Sequence, residues 1–245
     1  FYRPECKRRT KCPFTFKECI QKDREYLYNY YVKAVSALYE KVKSVGKYKA
    51  ENIKLAGHVF RVEYRYDYFS SHCSEFFVEK VSEGNISGAA EAVIRITDED
   101  IDAEEQISDV EMGRDYYEAL AVYRKICTYL IDRNTDMFHG SALLVDGGAV
   151  IFTGPSGTGK STHAGLWREY MGDKVTVIND DKPLLEFTNG GIIVHGTPYS
   201  GKSHLHTNIS APLKAIVVLR QGTENRIRRL SGREIFIHLF PQFYR

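Results

Sequence analysis

The sequence predicts an α/β (or α+β) fold in which a mixed sheet surrounds one strand–loop–helix unit, preceded by a small α+β region. Three observations lead to this prediction. Residues 154–162 read Gly-Pro-Ser-Gly-Thr-Gly-Lys-Ser-Thr, the apolar segment 148–153 comes directly before them, and residues 161–170 have helical character. Other short apolar segments, bounded by turn-forming residues, share the chain with two amphipathic helical patterns.

Composition permits a folded core and argues against some classes of partner. The 245 residues are 43% hydrophobic and 27% charged, which is close to ordinary globular usage and suffices for one large domain or two small ones. A net charge of +2 gives no argument for binding nucleic acid or a membrane. We find no apolar run of about 18 residues, so the sequence predicts no membrane span.

Cysteine usage favours a cytoplasmic location. Five cysteines, an odd number, occur in a chain without a recognisable export signal, which favours reduced thiols. Cys6, Cys12 and Cys19 cluster near the start, but their spacing matches no common zinc pattern. The start at Phe1 and the abrupt end are compatible with truncation at either terminus.

The first half of the chain is predicted as two regions. Residues 1–50 form a basic helical segment, because apolar side chains recur at three- and four-residue steps within 16–48. Residues 51–133 form a small α+β region that ends in an amphipathic helix over 116–131, after an acidic stretch at 98–118 that we take as a solvated face. Strands are predicted at 53–57, 58–64, 76–78 and 92–97, with turn formers at 82–88.

Residues 134–245 form the predicted core, which the end of the chain cuts short. A strand at 138–145 turns into the strand at 148–153, and a helix over 161–170 follows the glycine-rich loop. Further strands are predicted at 175–178, 184–187, 192–194 and 214–220, with a helix beginning near 235.

The glycine-rich loop carries the strongest functional signal. It fits G-x-x-x-x-G-K-[ST], the P-loop or Walker A motif, at every fixed position. Glycines let backbone N–H groups turn onto an anion, and the helix N-terminus adds partial positive charge. Lys160 is expected to reach the β- and γ-phosphates of ATP, and Ser161 to ligate Mg²⁺. The predicted nucleotide-binding residues are Gly154, Pro155, Ser156, Gly157, Thr158, Gly159, Lys160, Ser161 and Thr162.

Two adjacent carboxylates follow the next buried strand, about twenty residues past Lys160. In a P-loop enzyme, an acidic residue at such a position holds Mg²⁺ or its water shell. Asp180 and Asp181 therefore allow a division of labour, in which one holds the metal and the other accepts a proton from the attacking hydroxyl. Consecutive side chains of an extended segment point to opposite sides, and we assign Asp180 as base and Asp181 as metal ligand. The alternative is a turn pair that caps backbone N–H groups.

Two further features are candidates for the site. His139 lies about fifteen residues before the loop, and the predicted hairpin returns it to the phosphate end of the sheet; a purely structural role is the alternative. A second glycine-framed segment could close over the acceptor, with a plain surface loop as the alternative. Its candidate substrate-loop residues are Gly196, Thr197, Gly201 and Lys202.

These residues carry a family resemblance. His139-Gly140, the P-loop about fifteen residues later and the Asp180-Asp181 pair resemble the kinase domain of HPr kinase/phosphorylase. The form of the loop is also similar to that of ATP-dependent phosphoenolpyruvate carboxykinase, which shares that nucleotide-binding fold. The resemblance covers roughly residues 138–220. It implies a P-loop core of this type, Asp180 and Asp181 as base and metal ligand, and His139 orienting the phosphate.

The leading interpretation is an ATP- and Mg²⁺-dependent kinase that transfers phosphate to a hydroxyl, either of a serine in a protein or of a small molecule. A carboxykinase-like lyase and a nucleotide-binding regulatory protein without turnover are the alternatives. The pair of carboxylates favours turnover, since binding alone does not need a base. The sequence does not name the acceptor, and it leaves the oligomeric state open, a homo-oligomer being compatible with it.

Overall fold

The computed structural model describes residues 31–33, 35–36, 48–78, 90–108 and 111–243. The chain divides into two compact units, Phe1–Tyr48 and Lys49–Arg245. In the first unit, residues 31–33 and 35–36 are helical, as predicted. The rest of the helix predicted there, its cysteines and the turn at 82–88 lie largely or wholly outside the described residues. The domain boundaries near residues 50 and 133 stay a prediction.

The described part of the second unit is a mixed α/β structure. Its helices are α1 (Asp67–Cys73), α2 (Asp98–Ile107), α3 (Arg114–Ile131), α4 (Lys160–Met171) and α5 (Gly232–Leu239). Its strands are β1 (Lys49–Leu55), β2 (His58–Tyr64), β3 (Ala92–Arg95), β4 (Thr135–Met137), β5 (Ser141–Val145), β6 (Gly148–Thr153), β7 (Val175–Asn179), β8 (Leu184–Thr188), β9 (Gly191–His195) and β10 (Ser210–Val218). None of the helices in this part of the chain has the length and apolar character needed to cross a bilayer.

The strands form a small sheet and a large one. The small sheet has the order β1-β2-β3, with β1 antiparallel and β3 parallel to β2. The large sheet has seven strands in the order β4-β8-β9-β10-β6-β5-β7. Only its β10–β6 pair is parallel, and that pairing has a register shift between Leu213 and Ala215, after the residues of β10 that pair with β9. The sheet is therefore mixed, as predicted.

Apolar side chains form three buried clusters in the described chain. The first joins the small sheet, α1 and α3, because alternate residues of β1 and β2 and one face of α3 point inward. The other two cover opposite faces of the large sheet, and α4 packs on one of them through Ala164 and Trp167. The helix α4, which follows the glycine loop, thus covers one face of the large sheet.

Several predicted elements need correction. The strand predicted at 76–78 is wrong, because Phe76 ends a 3-10 turn that continues α1 and Phe77 forms only one bridge, with Ile53. The strand predicted at 138–145 is too long, because β5 covers only Ser141–Val145, and His139 and Gly140 lie in the connection between β4 and β5. A Cβ on Gly140 would lie 2.7 Å from Ile151 Cγ2, so the chain passes too close to β6 there for any other residue. The acidic stretch contains α2, which was not predicted.

Candidate active site

Four chain segments meet at one edge of the large sheet. The ends of β6 and β10 lie together because these strands are parallel, with Thr153 opposite Val218. The start of β5 lies at the same edge because it is antiparallel to β6, with Ser141 opposite Phe152. The end of β7 joins them, since Asn179 pairs with the beginning of β5. This topology brings the glycine loop, His139 and the aspartate pair to one place.

The glycine loop has a conformation that its glycines permit. Gly154, Gly157 and Gly159 have φ angles of 150°, 79° and 95°, in the region that other residues rarely adopt. A Cβ on Gly154 would lie 3.0 Å from the carbonyl oxygen of Leu219, so the loop begins in tight contact with the end of β10. Thr158 closes the turn, because its hydroxyl donates to the carbonyl of Pro155 at 2.8 Å.

The loop leads into the N-terminus of α4, where the first N–H groups have no partner within the helix. No acidic side chain occupies the first turn of α4, so nothing there competes with an incoming anion for the partial positive charge. No heavy atom lies within 4 Å of the positions that Cβ atoms of Gly157 and Gly159 would occupy. The exposed members of the predicted set are Pro155, Ser156, Gly157, Ser161 and Thr162.

Lys160 is the buried cation of the site. Its side-chain nitrogen donates to the carbonyl oxygens of Gly154 at 3.1 Å and Pro155 at 3.4 Å, and the residue is 9% exposed. Burial lowers the pKa of Lys160, while the charges of Asp181 and Asp180 act in the opposite direction. The lysine therefore lies within electrostatic reach of both carboxylates and holds a position from which it can reach a phosphate.

Two side chains contact the carboxylate of Asp181. Its Oδ1 lies 3.4 Å from His139 Nε2, and its Oδ2 contacts the side-chain nitrogen of Lys182. Burial acts to raise the pKa of Asp181, but His139 and Lys182 outweigh it and hold the pKa at about 2, below the ordinary 3.8. Asp181 is therefore ionised at neutral pH and a weak proton acceptor.

Asp180 differs from its neighbour. It is 6% exposed, and its backbone is fixed by a bond from its N–H to Leu205 and by Ser141, whose hydroxyl donates to its carbonyl at 3.1 Å. Within the described part of the chain, no hydrogen bond or ion pair engages its carboxylate. A carboxylate that lacks a protein partner and keeps some access to solvent is a candidate to bind a cation or to accept a proton from a substrate.

His139 is held from its backbone rather than its ring. Its N–H donates to Gln242, and its carbonyl accepts from the hydroxyl of Thr153 at 2.8 Å. Gly140 continues this bracing, since its N–H donates to the carbonyl of Asp181 at 3.0 Å. The imidazole is thereby placed beside the carboxylate of Asp181 and keeps a partly exposed edge.

Asn179 is a positioning residue that sequence reasoning missed. Its side-chain oxygen accepts from the N–H groups of Asp181 at 2.8 Å and Lys182 at 2.6 Å. Its side-chain nitrogen donates to the backbone and hydroxyl oxygens of Thr197 at 2.9 and 3.0 Å, and to Tyr199 O at 3.3 Å. This fully buried amide links the aspartate turn to the second glycine-framed loop. A polar residue ending an apolar strand was the only available signal.

The first part of that second loop is packed into the protein. A Cβ on Gly196 would lie 2.0 Å from the carbonyl oxygen of Thr207, so only glycine fits. Thr197 is fully buried, and the hydroxyl of Tyr199 donates to Ala119 of α3 at 2.9 Å. This half of the loop is therefore a fixed part of the core and does not have the freedom of a lid.

The second part reaches the site. A Cβ on Gly201 would lie 3.0–3.1 Å from side-chain atoms of Asp181, which places the Gly201 backbone against that carboxylate. Gly201 has a φ angle of 65°, and Lys202 beside it is exposed. Of the four predicted substrate-loop residues, Gly201 thus borders the aspartate pair, while Lys202 faces solvent nearby.

A cleft runs from the glycine loop along the end of β10 and has a volume of about 480 Å³. Residues 155–158 form one wall, and residues 218–221 with His238 form the other. Arg220 and His238 are joined by a contact of 2.8 Å between Arg220 Nη2 and His238 Nε2. The cleft is within the size range of small-ligand sites and adjoins the loop that precedes the N-terminus of α4.

The described residues contain no group of three or more His, Cys, Asp or Glu side chains that could hold a metal by themselves. Mg²⁺ in nucleotide sites usually keeps several waters and takes only one or two protein carboxylates, together with phosphate oxygens. The unpartnered carboxylate of Asp180, the ionised Asp181 and the exposed hydroxyl of Ser161 fit that kind of incomplete donor set.

Comparisons with known proteins add little to this geometry. Neither a scan against protein families nor a search of curated proteins found a match to this sequence. Among solved structures, the chain is similar to the HPr(Ser) kinase/phosphatase from Coxiella burnetii, with 15% identity and a TM-score of 0.29. The match covers 38% of this chain and 64% of that one, so it spans less than two thirds of that chain. It is a distant structural relationship, and functional conclusions rest on the site itself.

Proposed function

We propose that this protein is an ATP- and Mg²⁺-dependent phosphotransferase that acts on a hydroxyl acceptor. The observation that carries the proposal is the meeting of the glycine loop with the aspartate pair at one edge of the sheet. Lys160 at the end of that loop lies within electrostatic reach of both Asp180 and Asp181. A site of this kind holds a phosphate chain, a cation and a proton acceptor close together.

The nucleotide would bind along the loop. Backbone N–H groups of residues 154–162 and the N-terminus of α4 would hold the β- and γ-phosphates, and Lys160 would exchange its contacts with loop carbonyls for phosphate oxygens. The cleft beside residues 218–221 would take the nucleoside part, because it continues directly from the loop.

Ser161 and Asp181 would hold Mg²⁺. An ionised carboxylate has about four lone-pair positions, so the contacts of Asp181 with His139 and Lys182 leave room for a cation. The depressed pKa keeps Asp181 charged over the working pH range. When bound, the metal would offset the negative charge that builds up on the phosphate oxygens.

Asp180 would act as the general base. Its carboxylate has no protein partner in the described chain, whereas the oxygens of Asp181 are engaged by His139 and Lys182. In the transfer, a bond forms between the acceptor oxygen and the γ-phosphorus while the bond to the β,γ-bridging oxygen breaks. The hydroxyl proton passes to Asp180, and ADP leaves with the bonding electrons. His139 would orient the transferred group.

The test is transfer of labelled γ-phosphate, measured together with Mg·ATP affinity in two matched variants. Asp180→Asn is expected to keep Mg·ATP affinity and to lower transfer by roughly 10²–10⁴, the range for loss of a general base. Asp181→Asn makes the same chemical change one residue away and should instead weaken the Mg²⁺ dependence of nucleotide binding.

The reverse pattern would exchange the two roles. Wild-type protein that binds Mg·ATP but transfers phosphate to no hydroxyl compound or protein would point to a regulatory nucleotide binder. Full transfer activity in both variants would contradict the mechanism.

A further inference from the structure

A small crevice lies beside the aspartate pair, with a lining separate from that of the larger cleft. It is formed by α1, α3 and the exposed half of the second glycine-framed loop, and its volume is about 40 Å³. The residues that matter for its chemistry are Tyr68, His72, Tyr116, Lys182, Gly201 and His204. None of them belongs to the lining of the larger cleft, so the site has two separate recesses.

The crevice shares a wall with Asp181. Lys182, which lines it, contacts the carboxylate of Asp181 through its side-chain nitrogen. Gly201, which also lines it, runs so close to Asp181 that a Cβ there would lie 3.0 Å from the carboxyl carbon. A compound held in the crevice would therefore touch two residues that contact Asp181.

The lining offers hydrogen-bond donors arranged around an aromatic wall. The rings of Tyr68 and His72 stack at 5.2 Å, Tyr116 meets Tyr68 edge-on at 5.8 Å, and His204 meets His72 at 6.2 Å. Burial and the neighbouring His206 and His204 lower the pKa of His72, and its ring is already held by a hydrogen bond with the backbone of Pro198, so His72 acts as part of the aromatic wall.

The charge of the lining selects against some ligands. No aspartate or glutamate lines the crevice, whereas Lys182, two imidazoles and three phenol groups do. These groups suit a ligand that presents hydrogen-bond acceptors, above all a carboxylate.

We infer that this crevice binds the phosphate acceptor, and that the acceptor is a small hydroxy acid whose carboxylate meets His204 and whose hydroxyl points toward the aspartate pair. The inference rests on the proposed function and names its substrate class. The transfer itself is unchanged: the acceptor oxygen bonds to the γ-phosphorus, its proton passes to Asp180, and ADP leaves.

Size favours a small molecule over a folded protein. A volume of about 40 Å³ accommodates about three water molecules or one compact organic group. A three-carbon hydroxy acid can place its carboxylate and hydroxyl carbons there, while a nucleoside cannot. A protein acceptor would need a broad complementary surface, and a recess walled by two rings and a glycine provides only a narrow opening.

The first experiment compares acceptors with wild-type protein and labelled ATP. L-serine and D-glycerate are the hydroxy acids, glycerol and ethanolamine are matched compounds without the carboxylate, and a short seryl peptide stands for a protein acceptor. We expect transfer to at least one hydroxy acid, with kcat/KM at least about tenfold above its matched compound, since a lost charge-assisted hydrogen bond costs about that factor. Equal transfer to glycerol or ethanolamine, or transfer to the peptide alone, would overturn the inference.

The second experiment ties the acceptor to the crevice. His204 is exposed and has a φ angle of 53°, a conformation that asparagine tolerates, so His204→Asn should fold. We expect it to raise KM for the hydroxy acid about tenfold, with Mg·ATP affinity and kcat nearly unchanged. His58→Asn makes the same change outside the crevice, on β2, and should leave all three values as in wild type.

Acceptor KM that is equal in His204→Asn and His58→Asn would overturn the inference. If wild type binds Mg·ATP and none of the hydroxy acids accepts phosphate, the inference fails while the nucleotide site stands. Failure of wild type to bind Mg·ATP would instead overturn the proposed function.

Discussion

The two glycine-framed loops of this protein have similar composition and opposite structural roles. Residues 154–159 are partly exposed, bonded mainly to one another, and surround open space at the N-terminus of α4. Residues 196–200 are buried, and Asn179 and α3 hold them through side-chain hydrogen bonds. Glycine and lysine content alone therefore does not distinguish a ligand cradle from a structural brace.

The residues between the glycines account for the difference. The first loop has Pro155, Ser156 and Thr158, which bury little apolar area, and the bond from the Thr158 N–H to the carbonyl of Pro155 at 3.3 Å stays within the loop and does not anchor it in the core. The second has Thr197 and Tyr199, and the phenol ring of Tyr199 stacks on Tyr123 at 4.0 Å in the core. Burial of that ring fixes the second loop, and the aspartate turn gains a rigid support from it.

The largest expected effect comes from adding a methyl group to each loop. In Gly196→Ala the new Cβ would lie 2.0 Å from Thr207 O and 2.9 Å from Ile178 O, both backbone atoms that cannot move freely. We expect a loss of about 4 kcal/mol or more in the free energy of unfolding. Gly157→Ala meets no atom within 4 Å and should lose only about 1–2 kcal/mol, for its positive φ.

Chemical denaturation of both variants measures these losses. Equal losses in the two variants would remove the distinction between brace and cradle.

The next largest effect is the contribution of the ionised Asp181 to the free energy of unfolding, which depends on pH. Its pKa lies at about 2 in the folded protein and at 3.8 ordinarily, so the folded state favours the ionised form. That contribution, roughly 2 kcal/mol, is fully present above pH 4 and is lost as pH falls from about 4 to about 2. We expect Asp181→Asn to show a shallower fall of the unfolding free energy over this range than wild type. An identical fall in both proteins would contradict the pairing of Asp181 with His139 and Lys182.

The smallest effect concerns the exposed tip of the second loop. Gly201 lies against Asp181, whereas the next residue, Lys202, is exposed and has its charged group in solvent. We expect Lys202→Ala to lower turnover about threefold, because an exposed charge contributes less than about 1 kcal/mol, and to leave Mg·ATP affinity unchanged. Lys174→Ala, an exposed lysine after α4, serves as the control. Equal loss of turnover and nucleotide affinity, or no loss of either, would count against an acceptor-side role.

Local sequence patterns predicted much of the fold. Alternation of apolar residues predicted β1 and β2, helical periodicity predicted α3, and the glycine loop predicted the junction of β6 with α4. The helix α2 was missed although a capping box, in which Thr97 and Asp100 exchange hydrogen bonds, marks its start. That signal lay inside an acidic stretch that favoured a solvated face.

The rest depends on contacts between residues far apart in sequence. Asn179 is a single polar residue at the end of a strand, and nothing in the sequence indicates that its amide joins Asp181 to Thr197. The crevice likewise brings Tyr68, Tyr116 and His204 together only through the packing of α1 and α3 against the second loop. Periodicity does not specify such contacts, because they depend on the tertiary arrangement.

The central claim is that residues 154–162 form a nucleotide cradle, and calorimetric titration of Mg·ATP tests it most directly. We predict saturable binding to wild type and to Lys174→Ala, and a Kd about a hundredfold higher for Lys160→Ala, because that variant loses a buried cation facing the phosphates. An unchanged Kd in Lys160→Ala, or no binding of Mg·ATP to wild type, would contradict the account.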